Sequence, residues 1–324
     1  MTNNEDKLRL VGATAEKITN SIGAVFRGKS EIIEYLLAAL FAKGHVLLDD
    51  VPGTGKTILA KSLAKSINSS FSRIQCTPDL MPADVTGCSV LSPRTQKFHF
   101  RKGPILSSIV LVDELNRATP RTQSALLEAM AESQVSVDGR SHPLPEPFFL
   151  IATENPIESE GTFPLPEAQK DRFMFSLSIG YPDPENEALI IEAQRRTGHP
   201  VDDVIPVASA EEIIACREAV VTVHVDEAVR DYLISLAAAT RKDVRVAIGA
   251  SPRASIALYK AAQSLAAIRG RNYVVPEDVK ELLIPVFRKR IILTPDSLMH
   301  GYKSEAIIAE IACRVPVPAF REHS

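Results

Sequence analysis

The sequence predicts an α/β fold: a parallel five-stranded sheet with β-hairpin inserts, followed by an all-α domain. Three observations carry that prediction. The first is the stretch HVLLDDVPGTGKT, His45 to Thr57, where an apolar run breaks at Pro52, Gly53 and Gly55 and an amphipathic helix opens at Lys56. The second is a set of further short apolar runs separated by helical and turn signals. The third is the chain beyond Tyr181, where apolar spacing is helical throughout.

The elements follow in order. Residues 1 to 12, opening MTNNEDKLRL, are polar and charged and are expected to be disordered, with a short helix from Ala13 to Ile22. Between Glu31 and Ala42, Ile32, Ile33, Leu36, Leu37, Leu40 and Phe41 form the stripe of a helix packed on a sheet, which Gly44 stops. Strands are predicted at Val46 to Leu48, Phe71 to Cys76, Ser108 to Val112, Phe148 to Thr153 and Phe173 to Ile179. From Thr77 to Leu106, Pro78, Pro82, Pro93, Pro104 and the turn SPRTQ predict a short helix followed by a hairpin. Thr119 and Pro120 supply the cap and first position of a helix carrying Leu126, Leu127 and Met130. Asp138-Gly139, set in period-two apolar spacing, predicts a second hairpin over Gln134 to Pro145. Tyr181-Pro-Asp-Pro marks a junction, giving a core over 13–180 and a helical domain over 181–324. Helices are expected there at Glu185 to Arg196, Ala210 to Val220, Asp226 to Thr240, Arg253 to Arg269 and Pro276 to Phe287.

The stretch around Lys56 has the residue types that a triphosphate tail needs. Glycines let the backbone curl so that several N–H donors converge, and a helix N-terminus adds partial positive charge. Lys56 would reach the β- and γ-phosphates and the Thr57 hydroxyl would ligate Mg²⁺. The full pattern G-x-x-x-x-G-K-[ST] begins here with Asp50 in place of glycine, so the Asp50 side chain is expected to turn away from the nest. SIVLVDE then brings two carboxylates to the end of a buried strand, where ligand crevices form. Asp113 suits the Mg²⁺ shell and Glu114 suits polarising a water for attack on the γ-phosphate. FFLIATENP ends another strand in Asn155, which can orient that water, although an Asn before Pro is by itself a turn former.

Composition excludes several classes. The 324 residues carry 37 Lys and Arg against 40 acidic residues, so no basic field for nucleic acid is evident. Cys76, Cys88, Cys216 and Cys313 are scattered and form no metal-binding pair, which is the pattern of reduced thiols in a cytoplasmic protein. The N-terminal residues lack the apolar segment of a signal peptide, and no apolar run approaches the roughly 20 residues a bilayer requires.

Taken together, GTGKT, VDE, IATENP and EAQKDRF resemble the ATPase core of the AAA+ superfamily. DELNRATPRTQSALLEAM and ATENPIESEGTFPLPEAQKDRF are similar to its MoxR branch in particular, and the resemblance runs from about Ala13 into the helical lid domain. It implies a P-loop AAA+ core whose two hairpins are the helix-2 insert and the pre-sensor hairpin. The Walker A positions would be Pro52, Gly53, Thr54, Gly55, Lys56, Thr57 and Ile58, and Asp113 and Glu114 would be Walker B. Asn155 would be sensor 1, Arg172 the arginine finger and Arg253 sensor 2, while Val25, Phe26, Arg27 and Gly28 would contact the adenine. An acidic residue at the first Walker A position is expected in this branch. The family further implies ATP and Mg²⁺ as cofactors, a homohexameric ring, protein clients, and a partner bearing a von Willebrand factor A domain.

Some readings stay open on the residues alone. Arg172 could instead pair with Glu167 or Asp171, and Arg117 and Arg121 could line a subunit interface or a solvated helix face. Two other functions compete: the ATPase subunit of a metal chelatase, and a nucleic-acid motor of the helix-2 insert clade. The hairpin tip, with only Arg94 and Lys97 as cations, argues against the motor.

Overall fold

The computed structural model describes residues 2–51, 53–155, 162–193 and 200–318. The chain opens with α1 (Thr2–Gly23) and α2 (Ser30–Phe41), then β1 (Val46–Asp49), α3 (Lys56–Ser66) and β2 (Phe71–Gln75). The first insert follows, α4 (Pro82–Thr86) with the hairpin β3 (Gly87–Leu91) and β4 (Phe98–Lys102). Next come β5 (Ile109–Asp113), α5 (Pro120–Glu132), the hairpin β6 (Gln134–Val137) and β7 (Arg140–Pro143), and β8 (Phe149–Glu154). Then α6 (Glu167–Lys170) and β9 (Phe175–Leu177) lead to α7 (Pro184–Ala193), α8 (Ala210–Val220) and α9 (Glu227–Lys242). The chain closes with β10 (Val246–Ile248), α10 (Pro252–Ile268), α11 (Pro276–Phe287), β11 (Ile292–Leu293), α12 (Pro295–Met299) and α13 (Ser304–Arg314).

The five-stranded sheet has the order β2-β5-β8-β1-β9, and every pairing in it is parallel. Its inner strands β1, β5 and β8 are buried almost throughout because both faces are covered, whereas the edge strand β2 is only partly so. Successive residues of one strand enter different cores: Val46, Leu48, Ile109, Leu111, Phe149 and Ile151 join the larger cluster. Leu47, Val110, Val112, Leu150 and Ala152 join the smaller one with α5 residues Leu126, Leu127 and Met130. Full burial of a Leu or Phe side chain contributes about 1.5–3 kcal/mol, so the sheet is the stability centre of the molecule.

The N-terminus corrects an expectation. Residues 1–12 were expected to be disordered, yet α1 starts at Thr2, and the helix expected from Ala13 is its second half. Leu8, Val11, Ala15, Ile18 and Ile22 are buried at intervals of three and four, so one apolar face runs through the polar opening. That face packs on α8 and α10, and α2 also packs on both, which ties the first two helices to the C-terminal ones. The helical region also contains a short antiparallel pair, β10 with β11.

Both inserts form where turn chemistry placed them. In the β6–β7 hairpin, Asp138 and Gly139 take φ of +50° and +73°, the left-handed pair a tight hairpin turn needs. The two hairpins touch through the Phe100 and His142 rings, stacked with centroids 3.8 Å apart.

Candidate functional site

β1 delivers the chain to the loop that opens α3. Asp50, standing where a glycine was expected, points away from the loop. Its carboxylate accepts from the backbone N–H of Ile179 and, at 3.1 Å, of Gly180, and so fastens the loop to the exit of β9. Gly53 and Gly55 have φ of +87° and +85°, a conformation that costs glycine little, and Gly55 caps α3. The first turn of α3 carries no acidic side chain, so its N-terminal partial charge faces the loop uncompensated. The Lys56 ammonium donates to the carbonyls of Asp50 at 2.8 Å and Val51 at 3.0 Å. Partial burial lowers the Lys56 pKa, against the opposing pull of Asp50, Asp113, Glu114 and Asp49. Thr57 is the second residue of α3 and half-buried, while Pro52 lies outside the described residues.

The acidic pair stands at the end of β5, two strands from β1, with β8 between them. Asp113 is buried; its Oδ1 accepts from the Thr153 hydroxyl at 2.8 Å and its Oδ2 from Arg73 Nε at 3.0 Å and Nη2 at 2.6 Å. Glu114 has φ of +55°, a left-handed conformation that a non-glycine residue adopts at a cost of order 1–3 kcal/mol. Its N–H donates to Thr153 Oγ1 at 2.8 Å, which helps hold that geometry. Its Oε2 accepts from Gln75 Nε2 at 2.8 Å and from Arg117 Nη1 at 3.1 Å. Arg117 therefore belongs to the acidic pair rather than to a solvated helix face. Asn155 follows β8 and is buried, with its carbonyl accepting from Asn116 Nδ2 at 3.4 Å.

The donor set suits a hard divalent cation held largely by phosphate oxygens. No group of three or more His, Cys, Asp or Glu side chains able to hold a metal occurs among the described residues. One strand-end carboxylate and one threonine hydroxyl are what Mg²⁺ uses when a bound triphosphate completes its octahedron.

A cleft of about 1130 Å³ opens beside the loop. Val25, Phe26, Arg27, Gly28, Gly53, Thr54, Gly55 and Ile58 all line it, so the segment expected to hold the adenine faces the same space as the glycines. A Cβ on Gly28 would stand 2.4 Å from the Phe26 ring, which explains the glycine there. Tyr181, Leu189, Ile190 and Ile205 also line it, and sequence reading gave no signal for them.

Arg172 and Arg253 lie elsewhere. β9 runs parallel to β1 with Phe175 beside Val46, so Arg172, which precedes β9, sits at the end of the sheet opposite the loop that follows β1. Arg172 Nη1 donates to the Leu127 carbonyl at 2.8 Å, and its neighbour Asp171 pairs with Arg290 at 2.7 Å. The alternative pairing of Arg172 with Glu167 or Asp171 is thus not formed. Ser251, which caps α10, donates to Asp171 at 2.9 Å, so exposed Arg253 shares this second pole.

Arg73, Gln75 and Thr153 were missed by sequence reading. The available signal was FSRIQ, where Arg73 and Gln75 occupy alternate positions of a strand whose intervening residue, Ile74, is buried.

A glycine loop opening a helix after an inner strand of a parallel sheet, with an Asp-Glu pair two strands away, defines a P-loop nucleoside triphosphatase. The "ATPase family associated with various cellular activities (AAA)" matches residues 45–175, and the AAA lid domain matches residues 238–311. Chaperone MoxR1 of Mycobacterium tuberculosis is 41% identical, over 94% of this chain and 82% of its own. The uncharacterized protein YeaC of Bacillus subtilis is 46% identical over 99% of both chains. The crystal structure of a candidate ATPase from Cytophaga hutchinsonii, 34% identical, superposes with a TM-score of 0.92 over 98% of this chain and 99% of that one. This chain belongs to the MoxR family of AAA+ ATPases and is an ATP hydrolase.

Proposed function

We propose that the chain hydrolyses Mg²⁺-ATP in a homohexameric ring and uses the cycle to remodel or mature protein clients, together with a von Willebrand factor A domain partner. In this reading the adenine lies against Val25 to Gly28, and the phosphates lie on the N–H groups from Gly53 to Thr57. Lys56 leaves the Asp50 and Val51 carbonyls to neutralise the β- and γ-phosphate oxygens. Thr57 and Asp113 would hold Mg²⁺, which supplies neutralisation of charge on the β- and γ-oxygens. Glu114 takes the proton of the attacking water, and Asn155 orients it. Arg172 and Arg253 of a neighbouring subunit face the γ-phosphate, where an arginine contributes roughly 10³–10⁵ in rate.

The observation that carries this reading is the separation of the two poles. The loop and the acidic pair lie at one end of the sheet, and Arg172 precedes β9 at the other. A site divided in this way is completed by a second copy. Protein clients are supported by the name of the MoxR1 relative, a chaperone, and by Leu91 and Phe98. These paired residues of the first hairpin are 44% and 73% exposed, an apolar patch suited to transient contact with polypeptide.

The test uses Glu114→Gln and Lys56→Ala. Glu114→Gln is expected to retain ATP and to shift the population toward a ring in analytical ultracentrifugation, and Lys56→Ala to lose binding in calorimetry. Wild-type affinity in Lys56→Ala would refute the assignment of the phosphate loop.

A further inference from the structure

The carboxylate expected to face the cation already has a cationic partner. Arg73 donates twice to Asp113 Oδ2, while Oδ1 is taken by Thr153. The same guanidinium donates through Nη2 to Gln75 Oε1 at 2.9 Å, and Gln75 Nε2 donates to Glu114 Oε2 at 2.8 Å. Asp113, Arg73, Gln75 and Glu114 therefore form one continuous chain of hydrogen bonds, and both carboxylates of the site are held by it.

A guanidinium and a divalent cation repel, and a carboxylate oxygen occupied by two N–H donors has little lone-pair density left to offer. Arg73 has somewhere to go. It lies on β2, the edge strand of the sheet, and its side chain is 47% exposed, so it can swing into solvent without opening the core. Its departure would leave Gln75 Oε1 without that donor, while Glu114 Oε2 keeps its ion pair with Arg117 Nη1 at 3.1 Å.

Resting on the Mg²⁺-ATP reading of the site, we propose that Arg73 is a positioning residue. It occupies Asp113 Oδ2 until Mg²⁺ displaces it, so the guanidinium and the cation compete for one carboxylate. Binding of Mg²⁺ at Asp113 is thus weakened by the cost of displacing the guanidinium.

The experiment titrates Mg²⁺ against binding of a fluorescent N-methylanthraniloyl ADP, with thermal denaturation in Mg²⁺ alone as a second readout. In Arg73→Gln the half-saturating Mg²⁺ concentration is expected to fall about fivefold, as for loss of a half-exposed ion pair, with Arg73→Lys between it and wild type. Nucleotide binding in EDTA should be unchanged, and Mg²⁺ alone should raise the melting temperature of Arg73→Gln more than that of wild type. An unchanged or higher half-saturating concentration, or an equal change in EDTA, would overturn the proposal while leaving the nucleotide site standing. Absence of nucleotide binding by wild type would overturn both.

Discussion

His45, the first residue of the phosphate-loop stretch, shows what a single buried side chain can impose on the molecule. Its Nδ1 accepts from the Leu150 N–H at 3.1 Å, and its Nε2 lies 3.3 Å from the Met130 carbonyl, which suits the neutral ring with its proton on Nε2. Burial lowers its pKa from 6.5 to about 4, and nearby Arg217 pushes the same way. The unfolded chain therefore binds this proton more readily. Stability from His45 is complete above pH 6.5 and is lost as pH falls toward 4, by roughly 3 kcal/mol at most. Denaturant titrations at pH 7 and 4.5 should show His45→Gln losing less stability on acidification than wild type, and equal losses would refute this. Burial also raises the Glu154 pKa, with Lys170 and Lys289 partly offsetting it, so ionised Glu154 costs stability as pH rises. At this scale the sequence was legible where chemistry dictates residue type. Asp113, Glu114 and Asn155 stand at or just past the ends of strands, and Lys56 opens α3, as the sequence pattern predicts. Arg73 and Gln75 were not legible, because nothing local says which strand lies beside the acidic one.

Asp50 works between elements. It was expected only to avoid the nest, but its carboxylate joins the start of the loop to Ile179 and Gly180 at the exit of β9, where the cleft wall begins. Asp50→Ala leaves those N–H groups unpaired and should cost about 2–3 kcal/mol in denaturant unfolding. Asp50→Asn, which keeps an acceptor, should recover part of that loss. Arg217 of α8 makes a similar join: its buried guanidinium donates to Leu40 at the end of α2, at 2.9 Å, and to Phe148 before β8, at 3.1 Å. Arg217→Met should destabilise by about 2 kcal/mol or more, since two carbonyls lose their donor, and an unchanged unfolding midpoint would contradict this. Strands and both hairpins could be read because period, proline placement and the Asp-Gly turn are local signals. The first half of α1 could not, since its apolar residues Leu8 and Val11 are sparse and gain meaning only when α8 and α10 cover them. Sequence order likewise hid that α1 and α2 pack with helices more than 160 positions away.

At the scale of the whole molecule, the chain is asymmetric in its chemistry. One end of the sheet carries the glycine loop with Lys56 and two carboxylates; the other carries Arg172, and exposed Arg253 follows Ser251, which bonds Asp171. If each active site is built across a junction, a subunit lacking its loop and a subunit lacking its arginine should repair one another. Lys56→Ala and Arg172→Ala would each be inactive alone. Mixed in equal amounts and allowed to exchange, about one interface in four should combine an intact loop with an intact arginine, because the two defects then fall on separate subunits. The decisive measurement is ATP turnover of that mixture. Recovery toward a quarter of the wild-type rate is predicted, and a mixture no more active than its components would contradict the account.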